Sequence, residues 1–540
     1  MELTYSDHVR RISYLAIAVL SLLAWRVGRA EVLSADGLRY TAQARKIAAG
    51  DWRGGLVGSV DHPMYPIQIA AVRTLVGLPD TALGLQDAAW AAAMLHGVLL
   101  VIPTYWVARS LFGDSSAWLG TAAFYAVPNT SEILADSLSE STFLHFWCWA
   151  LGFSLAFLKR GNPAWLIGMA AAGAGAYWTR PEGLLICLAL GMTILITPLL
   201  RSTRVDWPRL GRVLAILAIS TGALSLPVIL SRGTIGTKPA IAKVLGLKNR
   251  SAAHAVERER PLEPGTTELA IWGDAAAAFY KALRTATTST GLILAIVGLV
   301  LAPRASAAAA RRFLLIGVIL SLCVLALLRL HATQGYCAPR HTMVPAQLLL
   351  MAAGHGVVVL SSRLASNLMR FSFLRERVGL RPVPVIYFAL GCAWTTTQAG
   401  EFARPIGHSA LGYKLAGDWL SQHIPPGESI IDLSGWASFY AERPGYGFAK
   451  LHEITPGNPS RYLVVRKAHL VGPWEYCERM RELARDADLV ATFPQSVADR
   501  TSEVRVYERR TPQVAASGHA RSKPGSQAEG QPVDAGSVRQ

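Results

Sequence analysis

Ionisable residues in this 540-residue chain gather at a few places where the surrounding sequence is apolar. Asp36 and Arg39 stand just past the first apolar stretch, and Asp61, His62 and Tyr65 follow in "DHPMYP". Glu132, Asp136 and Glu140 punctuate "SEILADSLSE", Arg180 and Glu182 sit in "YWTRPEGLL", and Arg340 and His341 in "YCAPRHTMVP". A positioned carboxylate can take a proton from an attacking hydroxyl. A guanidinium fork matches phosphate geometry and keeps its charge. The set therefore points to acid–base work combined with anion clamping. It carries no Walker loop, dinucleotide fingerprint, zincin motif or metal-spaced Cys/His cluster.

Each residue also has a structural reading. Asp36 in "SADGLRY" suits the N-cap of an amphipathic helix over Leu38–Ala49. Arg180 and Glu182 could pair at a helix start, with Pro181 in the first turn. Arg340 could be an interfacial anchor that reaches the headgroups, and His62 a turn residue before Pro63. His96, His331 and His341 read as structural. Glu140 is different, because it leads straight into an apolar run, where a charge needs a reason.

The elements that must position these groups are membrane spans. Half the residues (51%) are hydrophobic and only 16% are charged, well below a soluble protein. Hydropathy and charge place about eleven spans near 11–28, 83–108, 116–130, 139–158, 163–179, 182–200, 210–230, 287–302, 312–330, 342–361 and 383–399. With the N-terminus inside, the arginine clusters at 159–160, 201–212, 304–312 and 363–381 all fall on the inner side. The net charge of +17 is thus spread over short inner loops, which argues against nucleic-acid binding. The first apolar stretch lacks a small-residue cleavage site and reads as a span. Of six cysteines, only Cys337 and Cys477 would face outside, which is no disulfide framework.

The expected organisation is a membrane domain over 1–400, with a first outer loop at 29–82, and an outer α/β domain over 401–511. In the latter, "LAGDWLSQHIPPGESIIDLS" reads as helix, turn and strand, "RYLVVR", "DLVATF" and "EVRVYER" as strands, and "WEYCERMRELARDA" as a helix. The 512–540 tail has a disordered composition. The ionisable clusters lie at the outer ends of the spans, on four loops. Such groups near membrane depth usually face a cavity or a partner, and here they would suit a reaction at that surface.

The acid past the first span, the amphipathic loop helix and "HPMYP" resemble the first outer loop of GT-C type polyprenyl-phosphate-dependent glycosyltransferases. "LSESTF", "YWTRPEGLL" and "YCAPRHTMVP" also resemble elements of the bacterial relatives of protein O-mannosyltransferases (glycosyltransferase family 39) and of the lipid A aminoarabinose transferase. The resemblance implies a polytopic α-helical membrane protein, GT-C-like, with a small C-terminal α/β extracytoplasmic domain, in the inner (cytoplasmic) membrane. It implies a polyprenyl-phosphate-linked sugar donor and an acceptor hydroxyl on protein, glycolipid or cell-envelope polymer. Asp36 would be the base of an inverting transfer. Arg180 and Arg340 would clamp the donor phosphate, with His62 and Tyr65 lining it, and Asp61, Asp136, Glu140 and Glu182 would form a second rank of acids. No cofactor is required by the residues, and a divalent metal is left open, since related enzymes sometimes bind one. One departure stands out: the mannosyltransferases carry an Asp-Glu pair where this chain has Asp36-Gly37. A transporter or flippase of lipid-linked sugars would instead place charges at the bilayer midplane in two related halves. A glycan ligase with a diphosphate-linked donor is the nearer enzymatic alternative.

Overall fold

The computed structural model describes residues 4–57, 59, 61–201, 206–232, 267–302, 306–368, 382–455, 458–472, 475–494 and 503–510. Much of the stretch between the expected spans at 210–230 and 287–302, the arginines Arg204, Arg304, Arg370, Arg375, Arg377 and Arg381 expected on the inner side, and the expected tail lie outside them. Every expected span falls on helix. In chain order these are α1 (Tyr5–Val27), then α2 (Ala35–Ala48), α3 (Trp52–Leu56) and α4 (Met64–Val76) in the first outer loop. There follow α5 (Ala82–Leu99), α6 (Val101–Phe112), α7 (Asp114–Tyr125), α8 (Pro128–Ala135), α9 (Glu140–Arg160), α10 (Ala164–Thr179), α11 (Leu185–Arg201) and α12 (Trp207–Arg232). The membrane part continues with α13 (Glu268–Thr287), α14 (Ser289–Val300), α15 (Ala307–Gln334), α16 (Met343–Leu368) and α17 (Pro382–Thr396).

Among the described residues, seven helical runs are long and apolar enough to cross a membrane by length and composition. They are Tyr5–Val27, Ala82–Phe112, Glu140–Arg160, Pro181–Pro198, Trp207–Arg232, Ala307–Gln334 and Pro339–Asn367. The pair α13 and α14, bent by 91°, makes an eighth if it is one span. With 12, 16 and 15 residues, α7, α10 and α17 are shorter than a full crossing of about 20 residues. The bundle core is a continuous cluster that includes Leu23, Tyr105, Phe124, Trp147, Leu190 and Met351.

Two expectations are corrected. The loop helix starts at Ala35, and its cap is Ser34, whose Oγ accepts from Gly37 N–H at 3.0 Å. Asp36 is therefore not the cap; it lies in the first turn with its carboxylate available elsewhere. The outer turn "VPNTSEILADS" is largely helix α8, begun by Pro128 at a position where a missing N–H costs nothing. The loop helices share a core of Tyr40, Ile47, Tyr65 and Ile69 with Ala88, Ala92 and Trp90 of α5, so the loop is a packed layer.

Beyond α17 come α18 (Ala399–Phe402) and α19 (Leu411–His423), then the C-terminal sheet with β1 (Ile430–Asp432), α20 (Trp436–Tyr440) and β2 (Gly445–Tyr446). It continues with β3 (Tyr462–Arg466), α21 (Lys467–Leu470), α22 (Glu475–Arg485), β4 (Ala487–Pro494) and β5 (Glu503–Arg509). Strand order is β2-β1-β3-β5-β4. β1 runs parallel to both β2 and β3, while β5 is antiparallel to β3 and β4. Ile430, Val464, Val504 and Val506 on one sheet face share a core with Tyr413, Tyr440, Val32 and Ala82, which ties the sheet to the first outer loop.

Candidate active site

The N-terminus of α2 is held by the turn before α9. Ser34 N–H donates to Ser137 Oγ at 3.0 Å, and Ser34 Oγ lies 3.2 Å from the Ser137 carbonyl. Asp136 Oδ1 in turn accepts from Ser137 N–H at 2.7 Å and from Ser137 Oγ at 3.1 Å. A Cβ on Gly37 would lie 2.2 Å from Ser137 Oγ and 3.1 Å from the Ser137 carbonyl. No side chain fits there, which is why the second acid of the mannosyltransferase pattern has no room in this chain.

Asp36 is thereby aimed at two arginines. Arg340 Nη1 donates to its Oδ2 at 2.7 Å, and Arg39 Nη2 lies 2.8 Å from its Oδ1. Arg340 stands on a short 3-10 turn, Pro339–Thr342, at the head of α16. That turn is tied by His341, whose Nδ1 accepts from Ala338 N–H at 3.2 Å. Arg39 also binds Asp61 through Nε at 2.7 Å and Nη2 at 3.3 Å, and the buried Asp61 offers its carbonyl to Arg232 at the end of α12. Burial holds the Tyr40 hydroxyl far above its ordinary range, so it is a neutral donor or acceptor, 3.1 Å from Ser139 Oγ.

Arg180 closes α10 and precedes the 3-10 turn Pro181–Leu184. A Cβ on Gly183 would lie 2.2 Å from Tyr177 N, so the tight "RPEG" turn requires glycine at that close approach. Arg180 donates to Glu140 Oε1 at 2.6 Å and to Glu182 Oε1 at 3.3 Å, with Phe143 beneath its guanidinium at 5.8 Å. Glu140, the first residue of α9, is only 2% exposed, and this ion pair is the reason for a charge at that depth.

These groups line one cavity with an empty volume of about 1140 Å³, its open mouth included. Its polar wall is Asp36, Tyr40, His62, Glu140, Arg180, Glu182 and Arg340. Its apolar wall is Leu185 with Cys323, Ala326, Leu327 and Leu330 of α15 and Met343 and Val344 of α16. Of the residues singled out from sequence, Asp36, His62, Glu140, Arg180, Glu182, Arg340 and His341 meet here. Five do not line it: Arg39 and Asp61 pair with each other, Glu132 pairs with Arg26, Asp136 accepts from Ser137, and the Tyr65 hydroxyl donates to the Ala89 carbonyl at 2.8 Å inside the loop core. Arg232 was missed, although a lone cation ending an apolar run on the expected outer side is a signal. Ser137 and the α15 wall carried none. Among the described residues, no group of three or more His, Cys, Asp or Glu side chains is arranged to hold a metal ion.

A wall of acids and guanidiniums facing an apolar wall can bind an anionic headgroup on an apolar chain beside a carboxylate. Residues 63–224 match the family described as Dolichyl-phosphate-mannose-protein mannosyltransferase. No curated protein sequence matches the chain. Among solved structures, ArnT from Cupriavidus metallidurans bound to undecaprenyl phosphate is similar with a TM-score of 0.54 and 16% identity. That match covers 93% of this chain and 98% of the other. The Archaeoglobus fulgidus oligosaccharyltransferase tethered with an acceptor peptide containing the NVT sequon is similar with a TM-score of 0.58 and 12% identity. It covers 92% of this chain and 74% of the other. Residues 63–224 are thus similar to the mannosyltransferase family, and the chain shares the fold of ArnT and of the oligosaccharyltransferase.

Proposed function

We propose that the chain transfers a sugar, with inversion, from a polyprenyl-phosphate-linked donor to an acceptor hydroxyl. The transfer takes place at the outer face of the cell membrane, with the N-terminus cytoplasmic and the sheet outside. The observation that carries this reading is the pairing of Asp36 with Arg340, 304 residues apart, on the polar wall of a cavity whose other wall is apolar.

Asp36 takes the proton of the acceptor hydroxyl as its oxygen bonds to the anomeric carbon. The bond from that carbon to the phosphate oxygen breaks, its electron pair stays on the phosphate, and polyprenyl phosphate leaves. A phosphate is already a stabilised leaving group, so cations matter more than a general acid. Arg340 is bound to Asp36 through Nη1, and the rest of its fork serves the phosphate. Arg180, set by Glu140 and Glu182, is the second clamp, and His62 lines the same wall. The α15 wall takes the first isoprene units, as expected of a donor presented from the bilayer. The acceptor is a hydroxyl on a protein, glycolipid or envelope polymer.

The test is binding of undecaprenyl phosphate to the purified protein in nanodiscs. Arg180→Ala and Arg340→Ala should each weaken binding about 10-fold or more, which corresponds to about 1.4 kcal/mol, while Asp36→Asn leaves it within a factor of about 3. Equal binding by wild type and both arginine variants would rule out the phosphate clamp.

A further inference from the structure

The C-terminal α/β region reaches the site through one short helix. Trp436 and Tyr440, four apart on α20, face the backbone that leads into α2. Trp436 Nε1 donates to the Leu33 carbonyl at 2.8 Å, and Leu33 N–H donates to the Tyr440 hydroxyl at 3.1 Å. The Tyr440 hydroxyl in turn donates a hydrogen bond to Gln86 Oε1 of α5 at 2.6 Å. Leu33 is fully buried, so both its backbone groups need partners, and these two side chains supply them. The next residue, Ser34, caps α2, and Asp36 follows two positions later.

Just past α20, Glu442 adopts a φ of 53°, in the left-handed region that non-glycine residues seldom occupy. Its carboxylate accepts from Ala82 N–H, the first residue of α5, at 2.5 Å. An unfavourable backbone conformation persists where surrounding contacts over-determine it. Here it seats α20 between the start of α5 and the start of α2.

We infer that Trp436 and Tyr440 are positioning residues that hold the Asp36 carboxylate in register with the arginines, making the C-terminal region part of the transfer site. This rests on the role proposed above for Asp36. Displacing a reacting group by about 1 Å can cost about 100-fold in rate. The phosphate clamps stand on other elements, so donor binding should not depend on α20.

The experiment uses the full chain with Trp436→Phe, Tyr440→Phe and the double variant, beside Asp36→Asn. Tyr440→Phe keeps the ring and removes both hydrogen bonds of the hydroxyl, Trp436→Phe keeps an aromatic ring of smaller size and removes the indole N–H donor, and the single variants guard against a double variant that fails to fold. Hydrogen exchange at residues 33–37 should quicken about 10-fold in the double variant, and sugar transfer in a complemented deletion strain should fall about 10- to 100-fold. Binding of undecaprenyl phosphate should stay within about 2-fold, whereas general loss of structure would lower it too. Unchanged transfer in the double variant, with Asp36→Asn inactive, would overturn the positioning role and leave the Asp36 assignment standing. Full transfer by Asp36→Asn would overturn both.

Discussion

Two serines decide where the Asp36 carboxylate sits. Ser34 caps α2, and Ser137 grips Ser34 from the turn before α9, itself steadied by Asp136. Burial pushes the Asp136 carboxyl up to about 7, against the pull of the Ser137 hydrogen bonds and with help from Glu132 and Glu140. An acid whose pKa is raised on folding contributes stability below its unfolded value and loses it as pH rises through the folded one. Thermal unfolding in detergent should therefore occur several degrees lower at pH 8 than at pH 5, and Asp136→Asn should flatten that slope. A wild-type midpoint that does not fall between those pH values would refute it. At this scale the sequence was half legible. Acids and arginines next to apolar runs marked most of the cavity's polar wall, because a charge there needs a reason. Ser34 and Asp36 are both preferred caps two residues apart, and only the contact with Ser137 decides between them.

The helices were legible because apolar runs must satisfy their own backbone, and only helix does so within one segment. What joins them was not. Arg26, in the last turn of α1, is almost fully buried and donates to the carbonyls of Phe402 at 2.8 Å and Arg404 at 3.0 Å. It also donates to Glu132 at 3.0 Å. One side chain thus ties α1, α8 and the segment leading to the sheet. In the sequence it reads only as a cation ending a span. Arg26→Met keeps the volume but strands these acceptors, and should cost about 2–3 kcal/mol. The checks are a lower thermal midpoint and quicker proteolysis between α17 and α19; an unchanged melt would show that the tie contributes nothing. The helix at 128–135 was equally hidden, since a short piece carries little periodicity.

At the scale of the whole molecule, the grouping of ionisable residues at helix ends was the readable property. Acids and arginines beside apolar runs were expected to converge, and the cavity does assemble from the segment at 36–62, Glu140 at the start of α9, the turn at 180–184 and the turn at 339–342. Which loop meets which was not readable, because the Asp36–Arg340 contact spans 304 residues and depends on packing of the whole bundle. The same packing sets the sheet region on the first outer loop through Val32 and Ala82. The central claim is that this assembly moves a sugar with Asp36 as base. It is met most directly by the glycan and lipid-linked-sugar profile of a deletion strain complemented with wild type, Asp36→Asn or Asp36→Ala. Asn preserves the size of the side chain and a hydrogen bond to Arg340 but accepts no proton. Wild type should restore the glycan, while both variants, expressed and folded, should leave it absent, lowered by about 100-fold or more, with the lipid-linked donor accumulating. Restoration of the glycan to the wild-type level by Asp36→Asn would contradict the claim.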